Sequence, residues 1–465
     1  MGHVLAKPQY DVIVVGGGNA GLCAALAARG GGAQRVLVLE RASEAMRGGN
    51  SRHTRNIRCV HRGHADETYE PAEFLDDLRS VTGDPVNPEL AESTIRLSEE
   101  LPGWMSRHGA AWQPPLAGTL HLGRTNRWFL GGGKALINSY YATLTRMGVE
   151  VRYNACVNDV LIDNRRFEGV AVRQDGIQEI IRGRAFVAAA GGFEANLSWL
   201  KQYWGEAVDN FRIRGTPHND GKLLAILLRH GTTAIGDPRG LHAVAVDARS
   251  PKFDGGIVTR LDAIPFGIVV NRDGRRFYDE GEEIWPKRYA TWGSLIAEQP
   301  GQLAYCVVDA KTIACFLPPV YKPIIADSLE DLVPQLEVDS AAFVATLREF
   351  NAAANGNREA KREKDGLRTR GLSPAKSNWA LPIDQPPFYA FPLRPGITFT
   401  YMGVAVDGAA RVLDRSGRPF QNLYAAGEIM AGNILSKGYL AGLGLTIGSV
   451  FGRLAGEEAA KHAFS

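Results

Sequence analysis

At 465 residues the chain exceeds what one small core organises, and domain-size priors point to two or three domains, of which we expect two. Hydrophobic residues at 45% and charged residues at 22% are ordinary for a globular protein; 53 basic against 50 acidic residues leave +3 with no long basic run, which argues against nucleic acid as a partner. Five cysteines, Cys23, Cys59, Cys156, Cys306 and Cys315, lie without any C-x-x-C pair, which argues against an iron–sulfur cluster, a zinc ribbon or a disulfide framework.

The first elements are "YDVIVVGGGNAGLCAALAARGG" and "RVLVLERAS", an apolar strand, a glycine turn, an alanine-rich helix and a second apolar strand. Gly16, Gly18 and Gly21 stand in G-x-G-x-x-G spacing, with Asn19 and Ala20 between them, and Glu40 ends the second strand 19 residues after Gly21. The first glycine allows the tight turn, the second lets backbone approach a pyrophosphate, the third lets helix pack on strand, and the acid accepts from ribose hydroxyls. The pattern therefore predicts dinucleotide binding. "GGNSRHTRNIR", Gly48 to Arg58, follows with three arginines and a histidine. Further on, "FLGGGKALINSYYATLTRMG" predicts an amphipathic helix leading into strands, "GRAFVAAAGGFEAN" a strand ending in small residues, and "HNDGKLLAILLRHG" a helix after Asn219-Asp220-Gly221. From about Leu241 to Pro374 the texture changes: "GIVVNRDGRRFYDE" predicts strand–turn–strand, and "DSAAFVATLREFNAAANGN" a helix started by Asp339 or Ser340. After the charged connection "REAKREKDGLRTRG", apolar strands return and "TIGSVFGRLAGEEAAKHAFS" predicts a closing helix. The expected fold is α/β: a discontinuous Rossmann-like nucleotide-binding domain over 1–240 and 375–465, with an inserted α+β capping domain over 241–374. A first strand beginning at Tyr10, and the absence of any apolar run of about 20 residues, lead us to expect a cytoplasmic protein without a signal peptide or membrane span.

In order and spacing, "VVGGGNAG", "GGNS", "AAAGGF", "NDGKLLA", "VVNRDGRRFYDE" and "YAAGEIMAG" resemble the flavoproteins of the fumarate reductase and succinate dehydrogenase group over nearly the whole chain. Within that group "GGNSRHTRNIR", "EEIWPKRYATWG" and "GITFTYMGV" are most similar to the FAD-dependent tricarballylate dehydrogenases, which oxidise propane-1,2,3-tricarboxylate to cis-aconitate. The resemblance implies FAD, with Gly16, Gly18 and Gly21 around the pyrophosphate, Glu40 on the adenosine ribose, Asn19, Ala20 and Arg41 also at the cofactor, and Gly48, Gly49, Asn50 and Ser51 beside the flavin. It further implies Val157 at the adenine, Ala190, Gly191 and Asp220 bordering the cofactor, and Glu428 on the ribityl chain. Independently, the glycine-rich entry to the closing helix predicts free amides at Leu443, Leu445 and Thr446 that suit the N1/O2 edge of an anionic flavin. Some members attach the flavin covalently to a histidine; Asn50 stands at that position, so non-covalent FAD is expected.

Dehydrogenating a bond flanked by carboxylates needs a hydride acceptor, a base for the α proton and cations for the anionic groups. The resemblance points to Arg288 in "WPKRYATWG" as base, with Lys287 the chemically easier alternative because lysine shifts its pKa readily when buried. It places His242 and Thr259 as carboxylate donors. Where fumarate reductases carry a histidine in an H-T-x-G-G loop, this chain has Phe399, Thr400, Tyr401 and Met402; Tyr439 stands at their substrate arginine, with Lys437 close by; the acid after the threonine is Arg260, and the arginine beyond it is Ala263. These departures suggest a substrate shaped differently from fumarate. A tricarboxylate wants several cations, and Arg52, Arg55, Arg58, Arg260 and Arg288 are the candidates, unless some pair with nearby acids.

The expected function is dehydrogenation of a small polycarboxylate, tricarballylate first. The alternatives are a 3-ketosteroid dehydrogenase-like enzyme, suggested by Tyr401 and Tyr439, a fumarate-type reductase, and a flavin-binding module without turnover. Every enzyme reading needs a separate electron acceptor, by family analogy a membrane-bound iron–sulfur protein, or oxygen.

Overall fold

The structure, a computed structural model, describes residues 9–62, 68–114, 122–283, 289–354 and 364–464. The chain folds as two compact units, one made of Met1–Tyr203, Thr216–Leu241 and Phe399–Ser465, the other of Trp204–Gly215 and His242–Thr398.

The first unit is built on strand β1 (Tyr10–Val15), helix α1 (Asn19–Gly30) and strand β2 (Val36–Leu39). Five consecutive residues of β1 are buried, as a parallel strand covered on both faces requires. It pairs in parallel with β2 on one side and with Ile177–Ala188 on the other, in the order Arg411–Leu413, Pro419–Ala425, Ile177–Ala188, β1, β2, Glu150–Arg152. Cys156–Asp163 and Arg166–Gln174 extend Ile177–Ala188 as an antiparallel meander. The closing helix, Leu443–Phe464, lies along α1. Glycine makes that approach possible: a Cβ on Gly452 would overlap the carbonyl of Ala20, and one on Gly456 that of Ala24.

In the second unit, Phe388–Thr400 is the hub of a sheet in which Ala304–Asp309, Ile324–Ala326 and Leu241–Asp247 pair with it. Strand alternation sorts the side chains into two cores. Ile268, Val270, Tyr305 and Val307 face helix Ser340–Ala353 through Phe343, Leu347 and Phe350, while Val269, Ala304, Cys306 and Val308 pack with Trp292 and Ile296. Of the two expected caps Asp339 takes the role, its Oδ1 accepting from the Ala342 amide at 2.8 Å. The strand–turn–strand around "NRDG" is Ile268–Asn271, turning through Gly274 at φ +69° and bridging back at Arg276.

The insert does not end near Pro374 as expected. It runs on to Thr398, because Phe388–Leu393 pairs with Ala304–Asp309 and Gly396–Ile397 with Arg212–Ile213, and a 12-residue return through Trp204–Gly215 belongs to it as well. A composition change marks the charged connection; sheet pairing sets the boundary. Among the described residues no helix is long and apolar enough to cross a membrane.

Candidate functional site

The glycine turn after β1 forms by steric necessity. Gly16 has φ +111°, and a Cβ there would overlap Ala189's carbonyl, as one on Gly21 would overlap that of Gly16. Gly18 differs: its nearest protein atoms, Gly48 O and Ser51 Oγ, would both lie 3.6 Å from an added Cβ, so the protein leaves room beside it. Gly16, Gly18 and Ala20 are half-buried while Gly17, Asn19 and Gly21 are buried. Gly18, the N-cap of α1, has no side chain to cap it; the Asn19 amide instead donates to Ser51 Oγ at 3.0 Å, and Asn19 Nδ2 donates to Ser449 Oγ at 2.9 Å. Gly48 and Gly49, at φ +106° and +53°, bring their loop against Gly18. An open glycine cradle at a helix N-terminus whose N-cap is itself a glycine fits a pyrophosphate.

Glu40 is buried, and its carboxylate accepts from the Gly17 amide at 2.9 Å and the Ala42 amide at 2.7 Å. Burial raises its pKa against those amides. The acid expected at the ribose therefore also fixes the glycine turn, and each oxygen keeps acceptor capacity. Arg41 pairs with Asp220 at 2.6 Å, and Asp220 Oδ1 accepts from the Lys222 amide at 3.1 Å. Val157 is buried in Cys156–Asp163, and Ala190 precedes Gly191, whose φ of +79° sets it over the Asn219 side chain.

Asn50 Oδ1 accepts from the Thr216 amide at 2.8 Å and Nδ2 donates to Glu194 Oε1 at 2.5 Å, so this amide, with no nucleophilic nitrogen, anchors the loop. Glu428 Oε1 accepts from the Thr400 amide at 2.8 Å. At the closing helix the expected set of donors contracts. The Leu443 amide donates to Leu440 O at 3.1 Å, Gly444 to Tyr439 Oη at 2.8 Å and Thr446 to Gly442 O at 3.2 Å; Leu445 alone of the four donates to no acceptor among the described residues.

The second unit gathers a cationic group. His242 Nδ1 and Thr398 Oγ1 are hydrogen-bonded at 2.9 Å, and the His242 ring meets Tyr289 edge-on at 5.6 Å. Burial first, then Arg214 and Arg260, holds His242 well below the usual imidazole range, so it is neutral. Thr259 Oγ1 donates to Gly256 O at 2.9 Å, and Arg214 Nε reaches the same carbonyl at 3.4 Å. Arg260 lies over Tyr289 at 5.1 Å and forms a fork with Asp262 at 2.7 and 2.9 Å. Arg260 and Tyr289 line a cleft of about 480 Å³, open solvent included. Arg288 and Lys287 lie outside the described residues.

The other expected groups disperse. Arg58 is not a substrate cation: it is 1% exposed and donates to Asp77 at 3.2 Å, Tyr69 Oη at 2.6 Å and Ala441 O at 3.2 Å. Arg52 donates to Met46 O at 3.2 Å, Arg55 stacks over Trp128 at 5.3 Å, and Lys437 is exposed beside Gly83. Tyr401, fully buried, donates to the Gly438 carbonyl, so its hydroxyl proton is engaged with backbone, and Tyr439 accepts the Gly444 amide. Sequence reasoning missed Glu194, Arg214, Asn219 as a side-chain donor, and Thr398; only the arginine alternation of "FRIRG" hinted at any of them.

The FAD binding domain family matches residues 11–444. The chain belongs to this family. FAD is accordingly its cofactor, and the cradle fits it. NADH:fumarate oxidoreductase of Klebsiella pneumoniae (strain 342) is a relative 27% identical over 481 residues, covering 99% of this chain and 49% of the relative, so the chain spans about half of that protein. Among solved structures, a flavocytochrome c3 fumarate reductase superposes with TM-score 0.75 at 22% identity over 99% of this chain and 80% of that one. A 3-ketosteroid-Δ4-(5α)-dehydrogenase from Rhodococcus jostii RHA1 gives 0.75 at 22% over 98% of each. Both structures share the fold.

Proposed function

We propose that this FAD-binding protein dehydrogenates a carbon–carbon bond of a small polycarboxylate, with tricarballylate to cis-aconitate the first reaction to test. The observation carrying the reading is the neutral His242 held by Thr398 beside Arg214 and Arg260 in the second unit, a group built for carboxylates rather than for an apolar sterol.

FAD, when bound, supplies the hydride acceptor. The protein's residues do the rest. In the tautomer in which Thr398 donates to Nδ1, His242 carries its hydrogen on Nε2 and offers it to a carboxylate oxygen. Arg260, steered by Asp262 and Tyr289, and Arg214 add charge that keeps the imidazole neutral and favours an anionic ligand. Thr259, whose hydroxyl hydrogen goes to Gly256 O, leaves only its oxygen as an acceptor beside them and is not the carboxylate donor the resemblance implied. The α proton passes to a base that is neutral before the transfer and cationic after it, for which Arg288 is the assignment and Lys287 the alternative, both resting on the sequence. Asn50 in place of a histidine supports non-covalent FAD. Electrons leave to a separate acceptor, an iron–sulfur protein or oxygen.

The test is anaerobic bleaching of the purified yellow protein with tricarballylate, succinate and a 3-ketosteroid in parallel. Tricarballylate should bleach the flavin; bleaching by the steroid alone would overturn the reading.

A further inference from the structure

We propose that Cys156 and Lys222 are an oxidisable pair that closes to a covalent sulfur–nitrogen link when hydrogen peroxide reaches the thiol, stapling helix Lys222–Arg229 to strand Cys156–Asp163. The inference does not depend on the identity of the substrate.

Lys222 Nζ donates to Cys156 Sγ at 3.2 Å and to Asn158 Oδ1 at 2.5 Å, so two residues of one strand receive the same amine. Among the described residues Lys222 forms no ion pair that would draw the amine away. The helix it opens is tied down at both ends. At the start Gly221, at φ +75°, turns the chain, and the Lys222 amide donates to Asp220 Oδ1 at 3.1 Å while Asp220 Oδ2 pairs with Arg41 at 2.6 Å. Just past the end His230 Nε2 meets Asp159 Oδ1 of the same strand at 3.1 Å. With helix and strand clamped on both sides, the amine stays near the sulfur. The link would therefore fix the corner that also carries Asp220 and Arg41, two of the residues expected at the cofactor.

The other thiols differ in access or in their neighbours. Cys23, Cys59 and Cys306 are buried, and burial pushes their thiols up, so they stay protonated and inert. Cys315 is half-buried like Cys156, but the amine four residues before it, Lys311, is engaged by Asp309 and Asp384. At Cys156 the chemistry takes two steps. The sulfur attacks one oxygen of hydrogen peroxide, the O–O bond breaks, sulfur is oxidised to the sulfenic acid and the peroxide is reduced to water. Lys222 releases its ammonium proton to solvent, and the neutral amine attacks that sulfur; the S–N bond forms, the S–O bond breaks and the oxygen leaves as a second water. One thiol, one amine and one peroxide thus give one sulfenamide and two waters. An added dithiol reverses the link by exchange, returning thiol and amine and leaving as its own disulfide.

The test treats the FAD-loaded protein with hydrogen peroxide and follows Cys156 by peptide mass spectrometry, with and without dithiothreitol. Wild type should yield a linked pair of peptides carrying Cys156 and Lys222, lighter by about 2 Da than their sum and separated again by dithiothreitol. Lys222→Arg keeps the positive charge and removes the primary amine. Its Cys156 should go instead to the sulfinic acid, heavier by about 32 Da and indifferent to dithiothreitol. Cys156→Ser should give no linked pair. A wild-type Cys156 that stays reduced, that reaches the sulfinic acid with Lys222 free, or that links to Lys222 with an oxygen retained overturns the proposal. The wild-type masses decide by themselves, so the outcome stands even if one variant does not fold.

Discussion

Arg58 and His242 show how burial decides what a polar residue does. Arg58 closes the three-arginine stretch Gly48 to Arg58, yet its guanidinium is spent on Asp77, Tyr69 and a backbone carbonyl. Removing one partner of a buried pair strands the other, so Arg58→Ala should cost about 3–5 kcal/mol in urea unfolding, and Arg58→Met with Asp77→Leu should recover much of it. His242 is neutral for the converse reason. Its folded-state pKa lies below 6.5, so its contribution to stability is complete above that pH and erodes as pH falls below it toward the folded-state value. Thermal unfolding should therefore show an acid limb that is weakened in His242→Asn. Under the proposed function, Arg260→Gln should raise KM for a polycarboxylate by about tenfold to a hundredfold, consistent with a charge-assisted contact of about 1.5–3 kcal/mol, measured by steady-state kinetics.

Elements whose logic is local could be read from the sequence, and those that depend on distant partners could not. The β1–α1–β2 unit with Gly16, Gly18, Gly21 and Glu40 was legible because turn, approach and acid all lie within one short stretch. Glu194 was not, since its meaning comes from Asn50 and Asn219, which only the fold brings together. The closing helix was expected from its pattern, but the carbonyl contacts that force glycine at 452 and 456 were invisible without α1 beside it. Gly456→Ala should therefore separate the two helices and cost about 1–3 kcal/mol in denaturant unfolding, although alanine raises helix propensity. Asp339→Ala, which removes one cap from Ser340–Ala353, should cost about 1 kcal/mol by the same measurement.

At the scale of the whole chain, the first unit takes three separate segments and the second two. Pro419–Ala425 completes the parallel sheet next to Ile177–Ala188, and the closing helix covers α1. A polypeptide stopped at residue 398 keeps the whole glycine turn and still lacks both, so it should be recovered as aggregate without flavin absorbance. The same arrangement governs synthesis on the ribosome. The strand Ile177–Ala188 emerges more than two hundred residues before its neighbour Pro419–Ala425, and for that interval an apolar strand edge waits without a partner in the nascent chain. The flavin sheet is thus completed after most of the chain has been translated, which makes yield in the cell depend on chaperone protection during elongation and makes late truncations aggregate rather than fold in part.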